Sequence, residues 1–391
     1  MEGDFIKIND WLLPLSWIYG AGVRLRNQMF EMGMLKSRSF DIPVISVGNI
    51  TVGGSGKTPH VEYLINLLRD KVKVAVLSRG YKRKSKGYML ATADTPMSDI
   101  GDEPYQMKKK FADIYVAVDE DRCHGIDQLT ANEETSDTDV ILLDDAYQHR
   151  YVKPGVNILL VDYHRLIMYD KLLPAGRLRE PQKGKARADI VIVSKCPADL
   201  KPMEFRVLTK AMNLFPYQKL YFTTLKYGSL RPIYGGEDRK LDTLTGDTSI
   251  LLLTGIASPQ QMIVDLKPYT ERITPLTFPD HHQYTDADID RINAEFEAMK
   301  GSDKMIVTTE KDNARLCGME GLSDEVKKNI YVLPVEVGFM LDQEEDFNEN
   351  IIGYVRKNSR NSILAKAKDD NKSDNSDNSG NRTRTISFRN N

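Results

Sequence analysis

Continuous apolar runs recur along the first half of the chain, with polar or helix-like stretches between them. The runs are short and rich in β-branched residues, which is typical of strands buried on both faces of a parallel sheet. They are Val44–Val47, Val72–Ser78, Ile114–Val118, Val140–Asp144, Val156–Asp162 and Ile190–Ser194. This pattern predicts an α/β fold built on a doubly wound parallel sheet.

A second series of apolar runs predicts a smaller α/β domain. Its members are Ile250–Thr254, Ile273–Phe278, Met305–Thr309 and Ile330–Pro334. Between the two series, Leu220–Leu225 and Leu230–Ile233 flank a Lys-Tyr-Gly-Ser turn, which predicts a β-hairpin linker. From about Asn358 the chain is rich in Asn, Asp and Ser. Such a composition cannot form a core and predicts a disordered tail.

The first apolar run leads into a glycine-rich turn and then a helical pattern. Residues 43–58 read PVISVGNITVGGSGKT, and the next apolar residues share one helix face. Strand, loop and helix start are the parts of a nucleotide phosphate cradle, in which Lys57 neutralises the β- and γ-phosphates and Thr58 ligates Mg²⁺. Glycines at 53, 54 and 56 permit positive φ. Thr51 stands where the usual motif has glycine, and the alternative is a structural strand–helix turn with a chance Gly-Lys-Thr.

Composition narrows the function classes. The 391 residues leave room for two domains, and a net charge of −2 gives no electrostatic reason to expect a nucleic-acid partner. The three cysteines are widely spaced, which suits a reducing cytoplasm and argues against a disulfide framework or a zinc site. No apolar run is long enough to span a bilayer, and no cleavable secretion signal is evident.

The N-terminal segment is apolar and aromatic. Trp11 and Trp17 are the only tryptophans, and Arg24 and Arg26 follow them. Aromatic rings beside basic residues suit a helix that lies in the plane of a membrane surface. A helix packed on the domain is an equally good interpretation of the pattern.

Acidic residues form three further candidate sites. Asp144 and Asp145 end an apolar run, where carboxylates can hold a nucleotide-bound Mg²⁺, although an aspartate there can also cap a helix. Asp102 and Glu103 precede a predicted helix and could simply complement its dipole. The Asp-His-His stretch at 280–282 could be a metal pair, a base with its orienting partner, or a surface turn.

Two arginines and a glutamate lie in a short loop bounded by Gly and Pro. Arg177, Arg179 and Glu180 belong to the segment Leu173–Pro181. A planar guanidinium can meet phosphate oxygens with two hydrogen bonds, so the loop suits stabilisation of a phosphoryl group. A solvated loop is the alternative.

Taken in order, these motifs resemble the tetraacyldisaccharide 4′-kinases (lipid A disaccharide 4′-kinases). The resemblance runs from the N-terminal helix to about Leu316. Its motifs are Ser46–Pro59, Leu77–Tyr81, Gly101–Pro104, Asp144–His149, Leu173–Pro181, Phe278–His281 and Thr308–Asp312. Thr51 is ordinary for this family, which takes a small hydroxyl residue there, whereas Ala146-Tyr147 differs from its usual Gly-Phe.

The resemblance implies an ATP- and Mg²⁺-dependent kinase that phosphorylates the 4′-hydroxyl of an acylated diglucosamine 1-phosphate. It also implies a peripheral enzyme at the cytoplasmic face of the inner membrane, with the lipid and the membrane surface as partners and no nucleic acid. The implied segments are a membrane-docking region over 1–30, a P-loop kinase domain over 31–217, a hairpin linker over 218–245, a second α/β domain over 246–357 and a tail over 358–391.

Residue roles follow from the same resemblance, motif by motif. Asp102 is expected to be the base, His281 its orienting partner and Lys57 a catalytic cation. The remaining expected residues are Thr51, Val52, Gly53, Gly54, Ser55, Gly56, Lys57 and Thr58 for ATP; Thr58, Asp145, Asp144 and Glu103 for the metal; and Arg177, Arg179, Glu180 and His149 for the acceptor.

Three other functions remain open from the sequence. A membrane-associated ATPase switch of the positioning type would carry a lysine where this chain has Val52. A kinase for a nucleoside or another small molecule would not need the aromatic N-terminal segment. A non-catalytic nucleotide-binding module would not need Asp102 beside Glu103.

Overall fold

The computed structural model describes residues 8–256, 259–280, 282–316 and 319–359. The predicted tail, apart from its first two residues, and the first seven residues of the N-terminal region lie outside these ranges. The strands are β1 (Val44–Gly48), β2 (Val74–Ser78), β3 (Met89–Leu90), β4 (Tyr115–Val118), β5 (Val140–Asp144), β6 (Val156–Asp162), β7 (Ile190–Ser194), β8 (Lys219–Tyr227), β9 (Arg231–Pro232), β10 (Ser249–Thr254), β11 (Ile273–Thr277), β12 (Lys304–Thr309), β13 (Ile330–Leu333) and β14 (Val335–Phe339).

The α-helices mostly occupy the stretches between strands. They are α1 (Leu13–Glu31), α2 (Lys57–Leu68), α3 (Met97–Ile100), α4 (Asp102–Lys110), α5 (Arg122–Ala131), α6 (Pro202–Met212), α7 (Gln260–Leu266), α8 (Asp286–Ala298), α9 (Glu310–Leu316), α10 (Asp324–Asn329) and α11 (Glu344–Asn358). In the described ranges, no helix is both long enough and apolar enough to cross a lipid bilayer.

A nine-stranded sheet forms the larger half of the molecule. Its order is β14-β8-β7-β6-β1-β5-β2-β4-β3, and every neighbouring pair is parallel except the two at the edges. The strands β1, β2, β5 and β7 are buried at every position, because helices cover both faces. The α/β class and the six apolar runs predicted as strands are thus confirmed.

The order of this sheet explains where chemistry can gather. The chain reverses its winding direction at β1, which lies between β5 and β6. In an open parallel sheet, ligands bind beyond the carboxyl ends of the strands at such a switch point. The glycine-rich turn after β1 and the aspartate pair that ends β5 therefore lie next to each other.

A five-stranded sheet forms the smaller half, in the order β11-β10-β12-β13-β9. Its first four strands are parallel, and β9 pairs antiparallel with β13. A separate core of aliphatic and aromatic side chains packs between this sheet and α8. These strands include all four runs of the second predicted series.

The connection between the sheets corrects the predicted hairpin. The segments 220–225 and 230–233 do not pair with each other: β8 pairs with β7 and with β14, whereas β9 pairs with β13. The link is a two-stranded ribbon in which the chain leaves the larger sheet after β8 and returns through β14. The second predicted domain, 246–357, therefore includes elements of the larger half. Strand β14 belongs to the larger sheet, and α11 packs on the core of that sheet.

The N-terminal helix α1 presents apolar side chains to solvent. Leu15, Ile18 and Leu25 are 53%, 71% and 59% exposed on this helix, and Trp11, in the short 3₁₀ turn Asp10–Leu12 that precedes it, is 92% exposed. The opposite face is buried, with Ser16, Gly20 and Phe30 against the protein. The helix therefore packs on the domain and still carries an uncovered apolar stripe, so the two interpretations of this segment are compatible.

Candidate active site

The glycine-rich loop has the conformation that an anion cradle requires. Gly53 and Gly56 adopt φ of 111° and 78°, in the left-handed region that favours glycine, whereas Gly54 does not. Helix α2 begins at Lys57, directly after Gly56, so its N-terminal N–H groups point into the loop. Thr58 lies in the first turn of the helix, and Ser55 is buried.

Polar residues at the ends of neighbouring strands brace this loop. The Ser194 hydroxyl at the end of β7 donates to the Ser55 carbonyl oxygen at 2.9 Å. Lys195 donates to the Gly54 carbonyl oxygen and lies 3.0 Å from Asp162 Oδ2 at the end of β6. The sequence did not predict these contacts. The one local sign of them is that Ser194, Lys195 and Asp162 are polar residues at the ends of apolar strands.

His60 ties the first turn of α2 to β8. Its Nδ1 donates to the Gly56 carbonyl oxygen at 2.7 Å, and its Nε2 lies 3.0 Å from the Thr223 hydroxyl. Burial lowers the pKa of His60 to about 4, so the ring is neutral and donates from Nδ1. The start of the helix is thereby fixed from within the core.

The segment Leu173–Pro181, called the arginine loop below, runs antiparallel to the glycine-rich loop before α2, called the phosphate loop below. Val52 N–H donates to the Arg177 carbonyl oxygen at 2.8 Å, and Arg179 N–H donates to the Ile50 carbonyl oxygen at 2.8 Å. The Val52 N–H, predicted to bind ATP, is thus occupied by backbone, and the N–H groups closer to Lys57 are better suited to phosphate. Arg177 has an exposed side chain at the edge of the loop.

Lys57, Asp145 and Arg179 form a cluster of charges beside the loop. Lys57 Nζ lies 3.5 Å from Asp145 Oδ1, and Arg179 Nη1 lies 3.6 Å from Asp145 Oδ2. Asp145 adopts a positive φ of 47°, which is uncommon for an aspartate and aims the residue after β5 towards Lys57. Three of the predicted residues are thus brought together.

Asp144 is buried and surrounded by other acids. Burial, followed by the nearby Glu103 and Asp145 carboxylates, raises the pKa of Asp144 to about 7, against the opposing effect of Lys57. Its Oδ1 is buried without a hydrogen-bond partner in the structure. A buried oxygen that lacks a donor, among three clustered carboxylates, is the environment that a divalent cation would stabilise. The predicted metal residues therefore fit Mg²⁺.

Asp102 begins α4, where the chain turns at Gly101 with φ of 91°. Its Oδ1 accepts from the Glu103 N–H at 3.0 Å, and its Oδ2 accepts from Arg315. Lys311 Nζ lies 3.8 Å from Asp102 Oδ2 and 3.5 Å from Glu103 Oε1. The acids do lie in the first turn of a helix, as the alternative prediction required, and they also face the charged residues of α9.

His281, predicted to orient Asp102, lies outside the described residues. Its neighbour Asp280 reaches the same region, because Lys311 Nζ lies 3.4 Å from Asp280 Oδ1. His282 turns elsewhere: its Nε2 lies 2.9 Å from Asp288 Oδ2 at the start of α8. Asp280 of the Phe278–His281 motif and Asp102 are thus both within 4 Å of the same ammonium, that of Lys311.

Of two further predicted acceptor residues, Glu180 has a charged partner, whereas the His149 Nε2 is buried and has no hydrogen-bond partner among the described residues. Glu180 is buried and pairs with Arg187 at 2.9 Å, while its Oε1 has no hydrogen-bond partner in the structure. Burial, then repulsion from Arg122, lowers the pKa of His149 to about 4, so this side chain is neutral. Glu180 directly follows Arg179, and Arg179 Nη1 donates at 3.3 Å to the side-chain oxygen of Gln148, the neighbour of His149.

Two cations near the site had no signal in the sequence analysis. Arg315 contacts Asp102, and Arg165 approaches the phosphate loop so closely that its Nη1 would lie 3.3 Å from a Cβ at Gly53. Taken together, a phosphate loop, several cations and a group of carboxylates can bind a nucleoside triphosphate with a divalent cation and supply a base.

Known proteins resemble the chain over most of its length. The family model described as tetraacyldisaccharide-1-P 4′-kinase (LpxK) matches residues 8–356. A tetraacyldisaccharide 4′-kinase of Phocaeicola vulgatus is 61% identical over 363 residues, which cover 93% of this chain and 99% of that protein. Its counterpart in Bacteroides thetaiotaomicron is 54% identical over 373 residues, with coverages of 93% and 98%. A crystal structure of LpxK from Aquifex aeolicus in complex with ATP has a TM-score of 0.66 and 31% identity, and it covers 89% of this chain and 99% of that one.

Proposed function

The chain belongs to the tetraacyldisaccharide-1-P 4′-kinase family, and on this premise we propose that it transfers the γ-phosphoryl group of ATP to the 4′-hydroxyl of a tetraacyl diglucosamine 1-phosphate. The product is the lipid IVA precursor of lipid A. The observation that carries the proposal is the convergence of Lys57, Asp145 and Glu103 beside Asp144 at the carboxyl ends of β1 and β5.

Residues 51–58 bind the phosphates of ATP in this proposal. Helix α2 begins directly after Gly56, and Lys57 is its first residue. The phosphates would compete with Asp145 for Lys57, which lies 3.5 Å from that carboxylate. Arg179 also lies close to Asp145, and its guanidinium can likewise turn to a phosphate oxygen when nucleotide binds.

Thr58, Asp144, Asp145 and Glu103 would hold Mg²⁺. The clustered acids and the unpartnered Asp144 oxygen support this assignment. When bound, the ion neutralises charge on the β- and γ-phosphate oxygens. The chain's own contribution is to hold these carboxylates close together beside Lys57.

Asp102 is the base that accepts the proton of the 4′-hydroxyl. As the proton moves to Asp102, the sugar oxygen bonds to the γ-phosphorus and the bond to the β–γ bridging oxygen breaks, which releases ADP. A sugar hydroxyl is a very weak acid, so a positioned base contributes about 10²–10⁴-fold to the rate. His281, which follows Asp280 in the motif near Lys311, is proposed to orient Asp102.

The lipid acceptor is proposed to approach from the side of the molecule on which α1 packs against the arginine loop. In this proposal Arg177, Arg179, Glu180 and His149 serve the acceptor on this side. Helix α1 contacts the loop directly, since the Tyr19 hydroxyl donates to the Arg179 carbonyl oxygen at 2.8 Å. The exposed stripe of α1 would rest on the cytoplasmic membrane surface, where acyl chains can remain in the bilayer while the sugar reaches the site. The protein is then peripheral.

An assay with the purified full chain tests this function. We expect ATP- and Mg²⁺-dependent phosphorylation of a tetraacyl diglucosamine 1-phosphate, detected as a product heavier by one phosphoryl group with ADP in equal amount. Nucleosides and soluble glucosamine derivatives, supplied in parallel, should not be phosphorylated. Transfer to a nucleoside, or ATP hydrolysis of equal rate without any acceptor, would contradict the proposal.

A further inference from the structure

A buried arginine connects Asp102 to the smaller sheet. Arg315 on α9 donates to Asp102 Oδ2 through Nη2, and through Nη1 to Asp312 Oδ1 at 3.1 Å and to the Gly255 carbonyl oxygen at 3.0 Å. The Arg315 side chain is fully buried. Its guanidinium is thus held by the smaller sheet on one edge and presents the other edge to Asp102.

Asp312 fixes the orientation of this arginine. Its Oδ2 accepts from the Gly255 N–H at 2.9 Å and from the Thr309 hydroxyl at 2.7 Å. A Cβ at Gly255 would lie 2.9 Å from Asp312 Oδ1, so the backbone approaches the carboxylate as closely as glycine allows. The arginine therefore has little freedom to turn away from Asp102.

A second ion pair joins the same two helices at their other ends. Lys110 at the end of α4 lies 2.7 Å from Glu310 at the start of α9 and 2.7 Å from Glu62 on α2. Because Asp102 begins α4 and Arg315 is near the end of α9, the helices run antiparallel and are tied at both ends. Only one of these ties contacts the proposed base.

Stability alone does not account for the Arg315 cluster. Burying an arginine with two aspartates costs desolvation free energy that apolar side chains of similar volume would not incur. A buried charged network does impose a single arrangement on the groups it contains, because each hydrogen bond has a preferred direction. Here the group that is held is the proposed base.

We propose that Arg315 is a positioning residue for Asp102, with Asp312 as its support. Arg315 and the Glu103 N–H together fix the plane of the Asp102 carboxylate. The orientation of the base then depends on the packing of α9 against α4, so the smaller half of the molecule takes part in catalysis through this contact. The inference rests on the proposed role of Asp102.

Steady-state kinetics of the full chain test the inference. In Arg315→Met, kcat should fall about 10²-fold, the cost expected when a reacting group is misplaced by about 1 Å, while the KM for ATP stays unchanged. The kcat of Arg315→Lys should lie between those of Arg315→Met and the unchanged protein, because lysine keeps the charge without the planar fork. Lys110→Met is the matched control: it removes the ion pair between Lys110 on α4 and Glu310 on α9, which does not contact Asp102, and should leave kcat near that of the unchanged protein.

A double-mutant cycle separates positioning from a structural effect. If Arg315 acts through Asp102, adding Arg315→Met to Asp102→Asn should change kcat by no more than about twofold, the scatter expected of non-interacting changes. An equal loss in both backgrounds, a loss in Lys110→Met as large as in Arg315→Met, or normal turnover in both Arg315 variants would overturn the inference. An unchanged protein without lipid kinase activity would instead overturn the proposed function.

Discussion

Lys57 and Asp145 form an ion pair at the position where phosphate is expected. The Lys57 side chain is 13% exposed, and its ammonium lies 3.5 Å from the Asp145 carboxylate. Such a pair offsets part of the cost of holding the ammonium in a partly buried place and fixes the direction of the side chain. Lys57 can then exchange Asp145 for a phosphate oxygen without a large change in its own position.

Replacing Lys57 by Met should therefore affect catalysis more than folding. Methionine preserves much of the apolar stem but cannot neutralise charge that develops on the phosphoryl group. We expect kcat to fall about 10²–10³-fold, the usual cost of losing one electrostatic contact to a transition state, with nearly unchanged thermal unfolding. Kinase assays and melting curves measure the two effects.

Lys71→Met is a matched control for that substitution. Lys71 follows α2 and donates to the Leu67 carbonyl oxygen at 3.0 Å on the exposed side of the same segment. Its replacement should leave turnover unchanged. Normal turnover in Lys57→Met as well would contradict the phosphate-binding role of the loop.

Some residues of the candidate site could be predicted from the sequence and others could not. The phosphate loop could be predicted because its strand, glycines, lysine and helix lie within one short segment. Arg315 could not, because its partner Asp102 lies far away along the chain and nothing local marks an arginine in a helix as buried. Lys195 was missed for the same reason, since its contact with the Gly54 carbonyl oxygen exists only after β1 and β7 take their places in the sheet.

At the scale of elements, α1 supports the arginine loop. The Ser16 hydroxyl donates to the Leu172 carbonyl oxygen at 3.0 Å and accepts from the Ala175 N–H at 2.9 Å. Gly20 packs so closely that a Cβ there would lie 2.6 Å from Leu172 Cδ1. Because this loop in turn pairs with the phosphate loop, α1 can influence the site without contacting ATP.

Ser16→Ala tests that support. The change leaves the Ala175 N–H without its acceptor, at a cost of about 1–3 kcal/mol for a buried donor. We expect lower thermal stability and a raised KM for the lipid acceptor, with a smaller change in the KM for ATP. Ser37→Ala is the control, because Ser37 also donates to a carbonyl oxygen, that of Arg150, but is exposed. Equal effects of both substitutions on the acceptor KM would contradict the role of α1.

Element types followed from the sequence more readily than element partners. Apolar runs and helical spacing are local properties, so most strands of both sheets were predicted; β3 and β14 were not. Pairing is not local: β8 takes β14 as its partner because the chain returns from the smaller sheet at Pro334. A turn-like Lys-Tyr-Gly-Ser sequence therefore suggested a hairpin where the chain instead passes from one sheet to the other.

For the whole molecule, the exposed stripe of α1 gives the protein a side that suits a membrane. Leu15, Ile18 and Leu25 face outward on the helix that covers the arginine loop, and Trp11 is exposed in the turn just before that helix. Trp17, 70% exposed, extends the apolar surface. A membrane on this side would bring the lipid to the proposed acceptor entrance. The contacts of the smaller half with Asp102 come from α9, through Arg315 and Lys311.

Membrane association should therefore depend on the two tryptophans. In Trp11→Ser/Trp17→Ser, binding to vesicles that contain anionic phospholipid should weaken by about tenfold or more, because full burial of one large apolar side chain is worth about 1.5–3 kcal/mol. Co-sedimentation measures this directly, and activity on a water-soluble short-chain acceptor should persist, since neither ring contacts the phosphate loop. Phe215→Ser, which removes another exposed aromatic ring, 49% exposed, is the control. If the unchanged protein, the double tryptophan variant and Phe215→Ser bind vesicles equally, the protein contacts the membrane through another surface, and the exposed apolar side chains of α1 serve another partner.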